Sequence, residues 1–163
     1  MSENYIVING KKMDLTEEQL KQLGIEARKN PFGRVAKLEM YCYIDAFDEV
    51  HCVTDEADQN DDMSFECSNY FNDKAFAEQV ALHQLLYRKL LKFAYENDCE
   101  DREWGTKYEH WCIYYDIPND KFDVDANDAF KHQTVYFSTR QAAKHAIEEV
   151  IKPFMKEHPE FVW

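Results

Sequence analysis

The side chains able to do chemistry are plentiful in this chain, but few stand at spacings that chemistry uses. His51-Cys52 and His110-x-Cys112 bring metal-ligand types together. Neither has the spacing of a usual zinc site, and Cys112 lies inside a strand-like run that points to a core position. Asp58, Asn60 and Asp62 could open a calcium loop, yet its sixth position is Met63 where glycine is required and its twelfth is Asn69 where a bidentate glutamate is required. His83 falls on the apolar side of a helix, the place of a core histidine. A cysteine nucleophile needs a partner base, and nothing singles out one of the five thiols. No glycine-rich phosphate loop, nucleophile elbow or kinase signature is present. The expectation is a protein that is not an enzyme and holds no metal or cofactor; a small metal- or thiol-dependent hydrolase stands as a second alternative.

Carboxylates are the other abundant chemistry. They number 32 against 19 lysines and arginines, for a net charge of −13. That balance argues against direct nucleic-acid binding, which draws on Lys and Arg at phosphates, and against an anionic membrane surface. It suits a basic protein surface such as another protein's nucleic-acid groove. Two clusters are the candidate contacts: Asp55, Glu56, Asp58, Asp61 and Asp62, then Asp120, Asp123, Asp125 and Asp128. Trp111 and Tyr114, in the aromatic run Tyr108–Tyr115, are candidates for a different kind of contact, since such rings are enriched at protein interfaces.

These residues must be held by secondary structure, and the longest element is a helix running from a cap at Asn72 or Asp73 to about Asn97. Phe76, Val80, His83, Tyr87, Leu91 and Ala94 form one stripe at helical spacing. Leu82, Leu86 and Phe93 form a second beside it, with Leu90 between them. An apolar arc this wide predicts a helix covered on two sides by sheet. Residues Glu39–Asp45 and Glu49–Thr54 read as a hairpin, Asp55–Asp62 as an acidic loop, and Phe65–Phe71 as a strand returning to the sheet. Trp111–Ile117 and Phe122–Asp125 read as a second hairpin around a Pro118-Asn119-Asp120 turn. Thr134–Phe137 reads as a strand. Ser138 with Gln141 reads as the capping box of a last helix, interrupted near Lys152 by Pro153.

The two halves correspond. Tyr70-Phe71, Lys74 and Ala77 match Tyr136-Phe137, Arg140 and Ala143 at one constant offset, and each copy follows an aromatic strand ending in aspartate. The expected fold is α+β: two repeated β-hairpin–strand–helix modules, about 39–97 and 108–155, packed together in a domain spanning 38–163. Ahead of it, residues 1–37 read as a separate unit. Asn9-Gly10 turns a small hairpin, Thr16 and Gln19 cap a short helix, Gly24 ends it, and a basic connector with Arg28, Lys29, Arg34 and Lys37 comes next. The cysteines are odd in number and form no Cys-x-x-Cys pair. With no apolar leader, this predicts free thiols in a cytoplasmic protein of a bacterial cell.

Four stretches carry a resemblance: Ile8-Asn-Gly-Lys11 with Leu15–Leu20, Asn69–Glu78, Glu103-Trp104 with Trp111–Asp116, and Thr134–Arg140 with Ala146–Glu149. Together they resemble small proteins encoded by prophages and mobile elements of Gram-positive gut bacteria. The resemblance implies an accessory phage product and carries over no catalytic residues. Some small acidic phage proteins block host defence, among them anti-CRISPR proteins that fill the DNA groove of an effector nuclease. The expected function is therefore a phage-encoded, non-catalytic inhibitor of a host defence nuclease acting by acidic mimicry. The alternative is a phage structural or regulatory module that binds a protein through the aromatic sheet face.

Overall fold

The computed structural model describes residues 5–23, 30–101, 104 and 107–163. The chain is α+β, built on three antiparallel hairpins that form separate two-stranded sheets. In the first, β1 (Tyr5–Ile8) pairs with β2 (Lys11–Asp14). Asn9 and Gly10 both take positive φ, 51° and 77°, as a two-residue turn matched to strand twist requires. Helix α1 (Glu17–Gln22) opens with the expected reciprocal cap. Gln19 N donates to Thr16 Oγ1 at 3.3 Å, and Thr16 N donates to Gln19 Oε1 at 2.9 Å. The proposed stop at Gly24, and Arg28 and Lys29 of the connector, lie outside the described residues.

The second hairpin is β3 (Met40–Ile44) with β4 (Val50–Thr54), and Cys42 faces Cys52 across it. Those two cysteines form a disulfide, which corrects the expectation of five free thiols; Cys67, Cys99 and Cys112 are free. The register supplies the reason, because it puts two thiols directly opposite each other on adjacent strands. The free thiols are one of the grounds for the cytoplasmic expectation, and the disulfide removes two of the five. Among the described residues, no helix is long and apolar enough to cross a membrane.

The segment after β4 is not a loop leading into a strand. Residues Gln59–Glu66 form helix α2, capped by Asp58 with Asp61 closing the box. Only Phe71 of the predicted strand joins the hairpin, exchanging backbone hydrogen bonds with Cys42 at 2.7 and 2.8 Å on the free edge of β3. Asn69 extends that edge with its side chain, which donates to Ile44 O at 2.8 Å and accepts from Ile44 N at 2.9 Å.

Helix α3 (Lys74–Glu96) is capped by Asp73, whose carboxylate accepts from Phe76 N. Its buried face changes along its length. Ala77 and Ala81 pack with Cys42, Ile44 and Phe71 in one core. Leu86, Leu90 and Ala94 pack with Ile113, Phe137, Ala143, Ile147, Ile151 and Phe154 in the other. At ~100° per residue the pair Ala77/Ala81 and the pair Leu86/Leu90 point to opposite sides. The wide apolar arc is thus two half-length stripes serving two cores. The predicted stripe through His83, Tyr87 and Leu91 is exposed instead. Sheet covers only the first side; helix covers the second.

That covering helix comes after the third hairpin, β5 (His110–Asp116) with β6 (Lys121–Asn127). Phe137 exchanges bonds with Trp111 at 3.1 and 2.8 Å, one bridge rather than the predicted strand Thr134–Phe137. The cap of α4 (Arg140–Ala146) is Thr139, not Ser138. A π-helical turn, Ile147–Ile151, leads into α5 (Lys152–Glu157) with Pro153 in its first turn. The wider turn absorbs the hydrogen bond that proline cannot donate, so the helix continues past it. Each larger hairpin therefore lies against the next long helix in the chain, and Asp73 and Thr139 cap those helices at matching points. The likeness stops short elsewhere: no helix corresponding to α2 is seen among the described residues between β6 and Phe137.

Candidate partner-binding site

The predicted contacts fall in two places with different fates. In the first cluster, Asp55 is 1% exposed and Asp61 is 5% exposed. Neither can meet a partner, which removes both from the expected surface. Asp55, just past β4, accepts from Arg34 Nε at 3.1 Å, the Tyr70 hydroxyl at 2.8 Å and Ala57 N at 2.7 Å. Asp61 accepts from the Tyr41 hydroxyl at 2.9 Å, Glu56 N at 2.8 Å and Asp58 N at 3.1 Å. The Tyr41 and Tyr70 rings stack at 3.9 Å between them. Arg34 also grips Asp62 at 2.6 Å.

Electrostatics agree with a fastening role. The Arg34 hydrogen bond holds the Asp55 carboxyl below the usual range, assisted by Tyr70. Backbone donation from Asp58 does the same for Asp61. Burial, then the bond to Asp55, pushes the Tyr70 hydroxyl up to about 12. These groups stay in one charge state across the neutral range and tie α2 to the hairpin. Glu56, Asp58 and Asp62 are exposed, but Asp58 is spent on the helix cap and Asp62 on Arg34.

The second cluster is arranged otherwise. The register pairs Cys112 with Asp125, Tyr114 with Asp123 and Asp116 with Lys121, so these six share one face. Trp111, Ile113, Tyr115, Phe122, Val124 and Ala126 share the other, which is turned toward the core. The outer face thus presents Tyr114, 41% exposed, amid Asp116, Asp123 and Asp125. Asp120 in the turn and Asp128 just beyond β6 are both exposed and stand at its two ends. The hairpin itself sets one lysine among these five aspartates, Lys121, which binds Asp123 at 2.9 Å. That bond comes first among the causes holding the Asp123 carboxyl low. The Tyr115 hydroxyl donates to Asp120, and this contact raises its own proton affinity.

Trp111 lies on the inner face, half-buried, with the Arg140 guanidinium 5.8 Å from its ring centre. A partner reaching the outer face meets Tyr114 and not Trp111. Asp116 escapes the sequence reading, although its parity with Tyr114 along one strand already assigns them one face. His110, also on the outer side, is fully buried beneath Trp104, stacked at 3.8 Å, with Nδ1 bonded to Asp101. His83 touches Phe161 from an exposed position.

Comparison with known protein families, characterised proteins and solved structures finds no match to this chain.

Proposed function

We propose that the protein is a phage-encoded, non-catalytic inhibitor of a host defence nuclease, and that the outer face of the β5–β6 hairpin fills the nuclease's basic nucleic-acid groove. The observation that carries this is the placement of Asp116, Asp123 and Asp125 beside Tyr114 on one solvent-facing sheet surface, with Asp120 and Asp128 exposed at its two ends. Alternate residues of a strand stand ~6.8 Å apart. Measured along the B-DNA axis, the phosphates of one strand rise ~3.4 Å per nucleotide, so two steps advance about the same length. Asp123 and Asp125 therefore repeat negative charge at a spacing that a phosphate-reading groove accepts. A sheet holds that spacing without ordering cost, and the Tyr114 ring offers a flat surface at its centre. The partner is a basic protein surface, with no direct nucleic acid and no membrane.

The test uses a guide-loaded CRISPR effector nuclease and the triple variant D116N/D123N/D125N. If each lost charge contact weakens binding by ~1 kcal/mol, the triple variant binds ~150-fold more weakly than the parent. Parent binding should also weaken steeply between low and high salt. Equal affinity of parent and variant, or affinity indifferent to salt, refutes charge mimicry by this face.

A further inference from the structure

We propose that Asp45, Glu49 and His51, at the tip of the β3–β4 hairpin, bind a divalent transition-metal cation, zinc in the first place. The site uses no residue of the β5–β6 face and stands apart from the inhibitor function. Asp45 directly follows β3, Glu49 directly precedes β4, and His51 is the second residue of β4. His51 Nε2 lies 2.9 Å from Asp45 Oδ2 and 3.9 Å from Glu49 Oε2. All three donor atoms lie within 4.8 Å of one another.

Those distances fit a metal. Zinc bound tetrahedrally at ~2.0–2.1 Å sets neighbouring donor atoms ~3.3–3.4 Å apart. The two observed separations bracket that value, and Glu49, 74% exposed in its side chain, is free to swing inward. An imidazole nitrogen with two carboxylates selects borderline cations such as zinc over magnesium or calcium, which take all-oxygen shells. The imidazole is also what separates this cluster from the acidic runs elsewhere in the chain. Three protein ligands on an exposed turn leave a fourth position for water or a partner's group.

The ligands are held from behind. Asp45 Oδ1 accepts from Phe47 N at 2.8 Å and from Glu49 N at 2.9 Å, which turns Oδ2 toward His51. Asp45 N donates to Glu49 O at 2.9 Å, and Asp48 at φ 68° closes the turn. Tyr43, opposite His51 in the register, sets its ring 5.7 Å from the imidazole. One residue along, the Cys42–Cys52 disulfide locks the two strands together. Ligands mounted on a covalently closed hairpin keep their spacing without the metal.

The full chain, freed of metal with chelator and kept oxidised, is titrated with Zn²⁺ by calorimetry and with Co²⁺ by visible absorption. One equivalent should bind, with cobalt showing a low-coordinate spectrum. His51→Ala should weaken binding at least ~10-fold, and Glu49→Gln, on a surface side chain whose loss leaves the fold intact, should weaken it measurably. No binding at millimolar metal overturns the proposal. So does unchanged affinity in both variants, which would place the metal at other groups such as the free thiols.

Discussion

Tyr70→Phe isolates the hydroxyl that fastens the chain entering α3 to the end of β4. The ring is 1% exposed and stacks on Tyr41, and phenylalanine keeps that ring and nearly all its volume. What disappears is the donation to Asp55 at 2.8 Å and an acceptor for Val35 N at 3.3 Å. A hydrogen bond to a charged group contributes ~1.5–3 kcal/mol, and the half-buried Val35 amide adds a smaller loss, so ~2–3 kcal/mol is expected. For a chain of this size that lowers Tm by about 5–10 °C. Tyr136→Phe is the control. Its hydroxyl accepts from the backbone N–H of the exposed His132 at 2.7 Å, a neutral bond, and ~1 kcal/mol is expected. The pH dependence separates charge from packing. Asp55 is held below its unfolded value of ~3.9, first by Arg34 and then by Tyr70. The stability it contributes is therefore fully present above pH ~4 and lost as pH falls through the lower folded value. Thermal unfolding followed by circular dichroism should show the gap between parent and Tyr70→Phe wide at about pH 5–7 and narrowing below ~4. A Tyr70→Phe effect no larger than that of Tyr136→Phe at neutral pH, or a gap that widens in acid, refutes the reasoning.

Leu38 is 71% exposed and sits at φ 74°, a conformation that costs a side-chain-bearing residue ~1–2 kcal/mol. Leu38→Gly gives back part of that gain through a freer unfolded chain, so a net stabilisation of up to ~1 kcal/mol is expected, read as a Tm rise of ~2–4 °C. Reducing the Cys42–Cys52 bond, which joins residues 10 apart in sequence, should cost ~2–3 kcal/mol on the chain-entropy account. Urea midpoints with and without reductant measure this, and thiol titration of the unfolded oxidised chain should count three groups.

The N-terminal hairpin and its capped helix are legible in the sequence because their signals are local: Asn9-Gly10 chooses the turn, and Thr16 with Gln19 chooses the cap. Both larger hairpins are legible for the same reason. What escapes depends on partners distant in sequence. Helix α2 reads as a loop because its acidic residues suggest solvent, although Asp58-x-x-Asp61 is itself a cap pattern. The stripe through His83, Tyr87 and Leu91 obeys helical periodicity, yet periodicity cannot reveal that one helix serves two cores on opposite sides. The cross-strand disulfide needs the register, which no cysteine count supplies. The Asp45–Glu49–His51 cluster escapes for a related reason: its ligands straddle a turn and match no linear motif.

The unequal fates of the two acidic clusters arise from the different tasks of the two hairpins. Between β4 and the bridge at Phe71 the chain makes an excursion containing α2, and polar side chains pin that excursion down. Asp55 and Asp61 turn inward to Tyr70 and Tyr41, and Arg34 from before the hairpin supplies the compensating charge. Tyr136, at the place in the second half that Tyr70 holds in the first, has a lighter task and accepts a backbone N–H only four residues upstream. The core face of β5–β6 is filled by Trp111, Ile113, Phe122 and Val124, and the bond of the Tyr115 hydroxyl to Asp120 stays within the hairpin and its turn. The parity of β6 then turns Asp123 and Asp125 to the solvent side, where Asp123 pairs with Lys121 of its own hairpin and Asp125 is exposed. Acidic runs of similar length thus make a structural clamp in one half and an exposed surface in the other, and the proposed mimicry rests on the exposed one.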